Sequence, residues 1–456
     1  MSVTAGDQDL SEQLANLGAR HLWLVYHNYS SLAQAKSVPA IRFADAARDG
    51  VSFARANWNF AITDEQLPHP GFGANSGDFR VVPDRATLVA LPHRPGVAQA
   101  YGWLVDDDGP WPGDPRARLR DQVDRLAQHG FSARMAYEAE LILLKRLDDG
   151  QLVPADHGRM FTIDEVEARW TWSARVLTAL VAAGIPVHQF AREYGPGQYE
   201  LSLLPAAPLA ATDQFLLMRQ VVRALARDEG LVASFMPKPR TDLPGNGLHV
   251  HLSLLGSDGT EAIPEPGSDG LSPTGRHAIA GLLEHADGLA ALAAPTTNSF
   301  RRLQPGSWAP AHRCWGFGNR AALVRVPGRG GGRHLEFRLG DATANPYLLA
   351  VGLLAAILDG LERRIPLPPP VEVDVGHLGD DEAAALGAAR LPRDAVRAVD
   401  ALVADEVLLE ALGPVIREHY PAMKRFESEL CRRAAASTTD PGAVTDWERH
   451  AYLEHV

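Results

Sequence analysis

Pro244–Leu254 reads PGNGLHVHLSL, with His249, His251 and Ser253 at alternate positions and Leu248, Val250, Leu252 and Leu254 around them. In a strand, period two sends the three polar side chains to one face and the aliphatic ones to the other. A half-buried strand with a wet polar face is the ordinary meaning of such a pattern. Two histidines are an unusual choice for a wet face, because neutral imidazole is a ligand for metals and a partner for phosphates. What matters, then, is whether other segments supply partners.

Three do. Ala136–Leu144 (AYEAELILL) sets Glu138 and Glu140 on one face of an aliphatic run. Ala191–Leu203 (AREYGPGQYELSL) carries Glu193, a Gly-Pro-Gly turn, then Glu200 and Ser202 alternating with Leu201 and Leu203. Arg333–Leu339 (RHLEFRL) carries Glu336 and Arg338 on either side of Phe337. One such pair could be chance; four, built from Glu and His, indicate strands lining one polar funnel. Its five carboxylates repel one another and resist desolvation unless cations share the space. Oxygen-rich sets with an occasional imidazole suit hard divalent ions, Mg²⁺ or Mn²⁺, better than zinc. The funnel is expected to hold at least two. Metal pairs with arginines nearby neutralise phosphates during phosphoryl transfer.

The 456-residue chain carries 44 Lys+Arg against 56 Asp+Glu, a net charge of −12, and 46% hydrophobic residues. That suits a large core and two or three domains. The acidic balance, with no basic cluster, argues against nucleic-acid binding. Two cysteines, Cys314 and Cys431, cannot make a disulfide framework and fit a reducing cytoplasm. No apolar core follows Met1 and no run approaches ~18 apolar residues, so neither a signal peptide nor a membrane span is expected.

Residues 1–105 are expected to form a small α+β domain. It has a helix over Gln8–Leu17, strands over Arg20–His27, Thr87–Leu91 and Val97–Val105, and an extended Lys36–Ile41. The acidic, Pro- and Gly-rich Asp106–Pro115 marks the boundary, and 106–456 form the second domain. There the spacing predicts helices over Arg116–His129, Thr162–Ala183 (opening on a Thr162/Glu165 capping box) and Ala211–Glu229. A long helix is expected after Pro273 to about Ala293, another over Pro346–Arg364, and two across Arg393–Ala435. Ile365–Asp374 (IPLPPPVEVD) reads as a linker and Thr445–Val456 as a polar tail. Gly328–Arg333 (GRGGGR) lacks the Lys-Ser/Thr of a phosphate loop. It reads as a mobile hairpin, with Arg333 as a phosphate contact the alternative. A single arginine is mostly a surface residue, and Arg301, Arg302, Arg320 and Arg325 are open to that reading. Arg338 differs, because strand period ties it to Glu336.

In the order of these segments the chain resembles the glutamine synthetase superfamily over nearly its whole length. The likeness is strongest over Ser234–His251 (SFMPKPRTDLPGNGLHVH) and Asn298–Tyr347 (NSFRRLQPGSWAPAHRCWGFGNRAALVRVP, then LEFRLGDATANPY). The resemblance implies a small β-grasp-like domain followed by a catalytic domain built on a curved antiparallel sheet, a split barrel, with helices around it. It implies Glu140, Glu193 and Glu200 as ligands of one metal ion beside the amino-acid substrate. Glu138, His249 and Glu336 match ligands of a second, beside the nucleotide phosphates. His251, Ser253 and Arg325 match nucleotide contacts, Arg320 a phosphate contact, and Arg302, Arg338 and Gly245 contacts to glutamate. Members use ATP with Mg²⁺ or Mn²⁺ to phosphorylate the γ-carboxylate of glutamate, after which nitrogen displaces phosphate. They assemble as dodecamers of two hexameric rings, each active site lying between two subunits.

The departures bear on the acceptor. Trp308 stands where glutamine synthetases carry a Glu in the loop that closes over the acyl phosphate. Ala54 stands where they carry an Asp that helps capture ammonium. Trapping a small, hydrated cation needs anions. An indole instead offers an apolar wall, or attracts an organic ammonium over its face by about 0.5–2 kcal/mol. Pro244 replaces an Asn, and Gly340 a Pro. Ser-Trp-Ala-Pro, PGNGLHVH and the terminal Thr-Asp-Trp-Glu are similar to the branch containing γ-glutamylmethylamide synthetases. No Asn-Leu-Tyr follows Gly360, so adenylylation control is not expected. The expectation is a cytoplasmic, ATP-dependent ligase joining glutamate to an organic amine, with Arg320, Arg338 and Trp308 at the reacting end. The alternatives are a glutamine synthetase using ammonia and a catalytically silent scaffold.

Overall fold

The computed structural model describes residues 5–68, 71–435 and 442–456. Two sheets organise them. In the first, Ala33–Pro39, His21–His27, Val97–Asp106, Asp78–Pro83 and Val51–Ala54 are successive neighbours, with Val89–Ala90 and Gly109–Pro110 also on the Val97–Asp106 strand. His21–His27 and Val97–Asp106 pair in parallel and form its buried centre. The sequence reading missed Val51–Ala54 and Asp78–Pro83, which are short and only partly apolar. Thr87–Leu91 shortens to Val89–Ala90 because Arg85–Thr87 turns as a 3-10 helix capped by Asp84.

The second sheet has nine strands. Along it run Val187–Arg192, Gln198–Leu203, Phe131–Arg146, Leu248–Gly256, Leu335–Phe337, Val324–Val326 and Trp315–Phe317. Every pair is antiparallel except Trp315–Phe317 with Val324–Val326. Helices cover its apolar face. The helix Pro346–Arg363 is apolar all round as far as Leu358 because it is covered all round, with every residue from Pro346 to Gly360 buried. Its crossing with Pro273–Glu284 depends on two glycines. A Cβ on Gly281 would strike Ala356 O, and one on Gly360 would strike His277 O.

Three helix expectations change. Thr162–Ala183 is two helices, Ile163–Ala168 and Trp170–Ala182, and Thr162 donates its hydroxyl to Arg159 O instead of closing a capping box. The helix after Pro273 breaks at His285 into Pro273–Glu284 and Ala286–Ala293. The expected polar tail contains a helix, Asp446–Tyr452, closed by a Thr445/Glu448 capping box. Glu448 is fully buried there, accepting from Asn298 Nδ2 at 3.0 Å and Arg301 Nε at 2.6 Å. Its polarity serves a buried network, not solvent. Among the described residues no helix is long and apolar enough to cross a membrane.

Candidate active site

The strand order brings the four polar-faced segments together. Across it Glu200 lies opposite Glu140, Ser202 opposite Glu138, Glu138 opposite His249, His251 opposite Glu336, and Glu336 opposite Arg325. Alternation sends these groups to one face while Tyr137, Leu141, Val250, Leu252 and Phe337 enter the core. Glu193 sits just past the end of Val187–Arg192, where its backbone N–H still donates to Gln198 O.

His249 Nδ1 is 3.0 Å from Glu138 Oε1 and 3.7 Å from Glu336 Oε1, and His251 Nε2 is 3.3 Å from Glu138 Oε2. Both imidazoles thus reach Glu138. Glu138, His251 and Glu336 each offer a ligand atom within 4.8 Å of the others. Glu336 is fully buried between two guanidiniums: Arg325 Nη1 lies 2.8 Å from one oxygen, and Arg338 Nη1 pairs with the other. Burial pushes its carboxyl up, but His249, Arg338, His251 and Arg325 outweigh that and hold it at about 2. In Glu138, too, burial is overcome by the two imidazoles, which keep it well below the usual carboxylate range.

The neighbouring acids go the other way. Burial and the charges of Glu138, Glu140 and Glu193 drive Glu200 well above the carboxylate range, and burial and Glu140 raise Glu193. On this side of the cluster the acids and their burial outweigh the positive charge that Arg320 brings, and the oxygen-rich donors fit a hard divalent ion. Glu140, Glu193 and Glu200 could hold one ion. Glu138, Glu336 and one of the two imidazoles could hold a second.

Gln198, which the sequence reading passed over, positions several of these groups. Its Nε2 donates to Gly245 O at 2.9 Å and Asn246 Oδ1 at 3.1 Å, and reaches Glu140 Oε2 at 3.4 Å. The signal was available, since strand period places Gln198 on the face of Glu200. Gly247 N–H donates to Glu140 Oε2 at 2.7 Å. A Cβ on Gly245 would lie 2.7 Å from Arg302 Cγ, so only glycine lets Arg302 pass. The Arg302 guanidinium is buried and donates to Leu339 O, Gly340 O and Arg338 O, bracing the turn after Arg338. His334, two residues before Glu336, was also missed; its Nε2 lies 2.9 Å from His251 Nδ1.

Arg338 Nε donates to Arg320 O at 2.9 Å, and its Nη2 reaches Trp308 O at 3.5 Å. This ties the loops carrying Arg320 and Trp308 to the acid cluster. Arg333 is nearly buried, its guanidinium 4.4 Å from the Phe317 ring centre. Ser253 is half-buried two residues beyond His251, and among the described residues it makes no polar contact with the cluster.

The chain as a whole is similar to known proteins. Residues 112–449 match the family model described as glutamine synthetase, catalytic domain. A glutamine synthetase of Thermococcus kodakarensis is 32% identical over 438 residues, 95% of this chain and 96% of that one. A glutamate–methylamine ligase of Methyloversatilis universalis is 34% identical over 439 residues, 92% of this chain and 93% of that one. A solved structure described as a GmaS/ADP complex superposes with a TM-score of 0.84 at 31% identity, covering 97% of this chain and 98% of that one.

Proposed function

The chain belongs to the glutamine synthetase family, and we propose that it is an ATP-dependent ligase joining the γ-carboxyl group of glutamate to an organic amine. A γ-carboxylate oxygen attacks the terminal phosphorus of ATP, a C–O–P linkage forms, and ADP leaves. The neutral amine nitrogen then attacks the acyl carbon, the C–O bond to phosphate breaks, and the nitrogen gives up a proton. Divalent ions, when bound, supply the positive charge that lets carboxylate and triphosphate approach.

The chain's own groups do the rest. Glu336 holds Arg325 and Arg338 in place through its two ion pairs. Arg320 and Arg325 offer charge to the transferring phosphoryl group, His251 and Arg333 contact the nucleotide, and Arg338 meets the glutamate carboxylate. With this reading go a division at residues 105/106, a cytoplasmic location and a dodecamer of two rings with active sites between subunits.

The observation that carries the amine assignment is Trp308. The residue is 72% exposed, its backbone carbonyl is 3.5 Å from Arg338 Nη2, and it shares the lining of a recess with Arg320, which leaves an accessible aromatic side chain where the resemblance expects a carboxylate. Ammonium capture calls for an anion there. ATP hydrolysis measured with glutamate and a panel of amines tests the assignment, and at least one organic amine is expected to exceed ammonia in kcat/KM. Ammonia exceeding all of them would favour the second reading, a glutamine synthetase, which the names of the archaeal relatives support.

A further inference from the structure

A cavity of about 370 Å³ lies beside Trp308 and Arg320, lined also by Phe317, Asn319, Glu372 and Asp374. It is an open recess, with Trp308, Glu372 and Asp374 all exposed along it, so it admits an acceptor larger than ammonia or methylamine. The cavity adjoins the reacting end, because Arg338 donates to Arg320 O and reaches Trp308 O.

The two acids come from Ile365–Asp374, which the sequence presents as a linker but which is anchored along its length. Trp315 Nε1 donates to Pro368 O at 2.8 Å, and Val371 N–H donates back to Trp315 O at 2.8 Å. Asn319 Nδ2 donates to Val371 O and Val373 O at 2.7 and 3.0 Å, and Phe317 N–H donates to Glu372 Oε1 at 3.3 Å. The Trp308 loop rests on the continuation of this segment, since a Cβ on Gly376 would lie 2.9 Å from Gly306 N. These contacts therefore hold the segments that carry Trp308, Glu372 and Asp374 around one cavity.

An aromatic face with carboxylates recognises an organic cation. Asp374 is partly engaged, accepting from Gly376 N–H at 2.9 Å with its other oxygen 3.4 Å from His377 Nε2. Glu372 makes one backbone contact and has lone pairs to spare. Arg320, in the same lining, draws phosphate and repels ammonium, so a positive group settles toward Glu372. The attacking nitrogen must be neutral, so a group held by these acids belongs to another part of the same molecule.

We propose that the acceptor is a diamine, attacking through one neutral nitrogen while Glu372, Asp374 and the Trp308 face hold its second, protonated nitrogen. This rests on the amine-ligase reading above. The test compares 1,4-diaminobutane with n-butylamine, methylamine and ammonia, reading amide formation by mass spectrometry and kcat/KM by ADP release. The diamine is expected to exceed n-butylamine at least tenfold. E372Q, which keeps an acceptor for Phe317 N–H, and D374N are each expected to cut the diamine-to-butylamine ratio several-fold, mainly through the diamine's KM. Equal use of diamine and butylamine by the wild type, or a ratio unmoved in both variants, overturns the diamine assignment alone. Ammonia exceeding every amine instead overturns the reading on which it rests.

Discussion

An indole and a carboxylate differ most toward a nitrogen that arrives charged. Trp308 holds a backbone φ of 61°, a left-handed conformation that costs a non-glycine residue about 1–3 kcal/mol. Its loop is pinned by Ser307, whose hydroxyl donates to Arg302 O at 2.8 Å, and by Gly306, which also has positive φ. The backbone therefore imposes the conformation whatever side chain is present, and Trp308→Glu should fold with the loop unchanged. A carboxylate there attracts ammonium and removes the aromatic face, whose attraction for an organic cation is about 0.5–2 kcal/mol. The expected outcome is a kcat/KM for ammonia raised about tenfold relative to that for the preferred amine, measured on the same preparation. A variant that loses both activities in proportion would show that Trp308 supports the loop and does not select the acceptor.

Elements record their partners as much as their own residues, and the helix break at His285 shows this. Nothing in HAIAGLLEHADGLAALAA predicts an interruption, yet His285 lies between Asp405, 2.7 Å from its Nδ1, and Asp359, 3.0 Å from its Nε2. Those acids lie 120 and 74 residues further along the chain. Burial lowers the imidazole's affinity for protons, but hydrogen bonds to Asp405 and Asp359 outweigh it and raise the pKa. A base with a raised folded pKa adds stability that is fully present below its unfolded value, about 6.5, and is lost as pH rises through the folded value. The melting-temperature advantage of wild type over His285→Gln should therefore be largest near pH ~6 and shrink toward pH ~9. An advantage that is constant or grows with pH would remove the charged imidazole from the account. The same logic explains what the sequence made legible. The four strands of the acid funnel carry their own periodicity, so Glu138, Glu140, Glu200, His249, His251 and Glu336 could be placed on one face from spacing alone. Gln198 and His334 shared that spacing: Gln198 was missed because an amide is tied to no one chemistry, and His334 because its partner, His251, lies on another strand. Glu448 could not be read as buried, since two of its donors, Asn298 and Arg301, come from a segment about 150 residues away.

At the scale of the whole molecule, the question is whether the first sheet unfolds with the rest or by itself. Lys424 and Glu427 are both buried on the helical run Glu406–Ala435, 2.8 Å apart. Ser30, just after His21–His27 of the first sheet, donates its hydroxyl to Glu427 Oε1 at 2.7 Å, and Ile62 N–H donates to the same oxygen at 3.1 Å. Further ties cross the same boundary. Arg116 pairs with Asp84 at 2.7 Å, Arg219 donates to Ser31 O at 2.7 Å, and Asn345 donates to Asn28 O at 2.8 Å. All are buried or nearly so, and each would leave an unpaired polar group if the first sheet detached. The two sheets should therefore unfold in one transition. Removing one partner of a buried ion pair costs about 3–5 kcal/mol, and Glu427 would keep two donors, so Lys424→Met should cost about 3 kcal/mol in chemical denaturation. Adding Glu427→Gln removes the stranded charge and should restore part of that loss, a non-additivity that marks direct coupling. A first sheet that melts separately in the wild type, or a Lys424→Met cost below about 1 kcal/mol, would mean that these ties decorate the boundary without holding it.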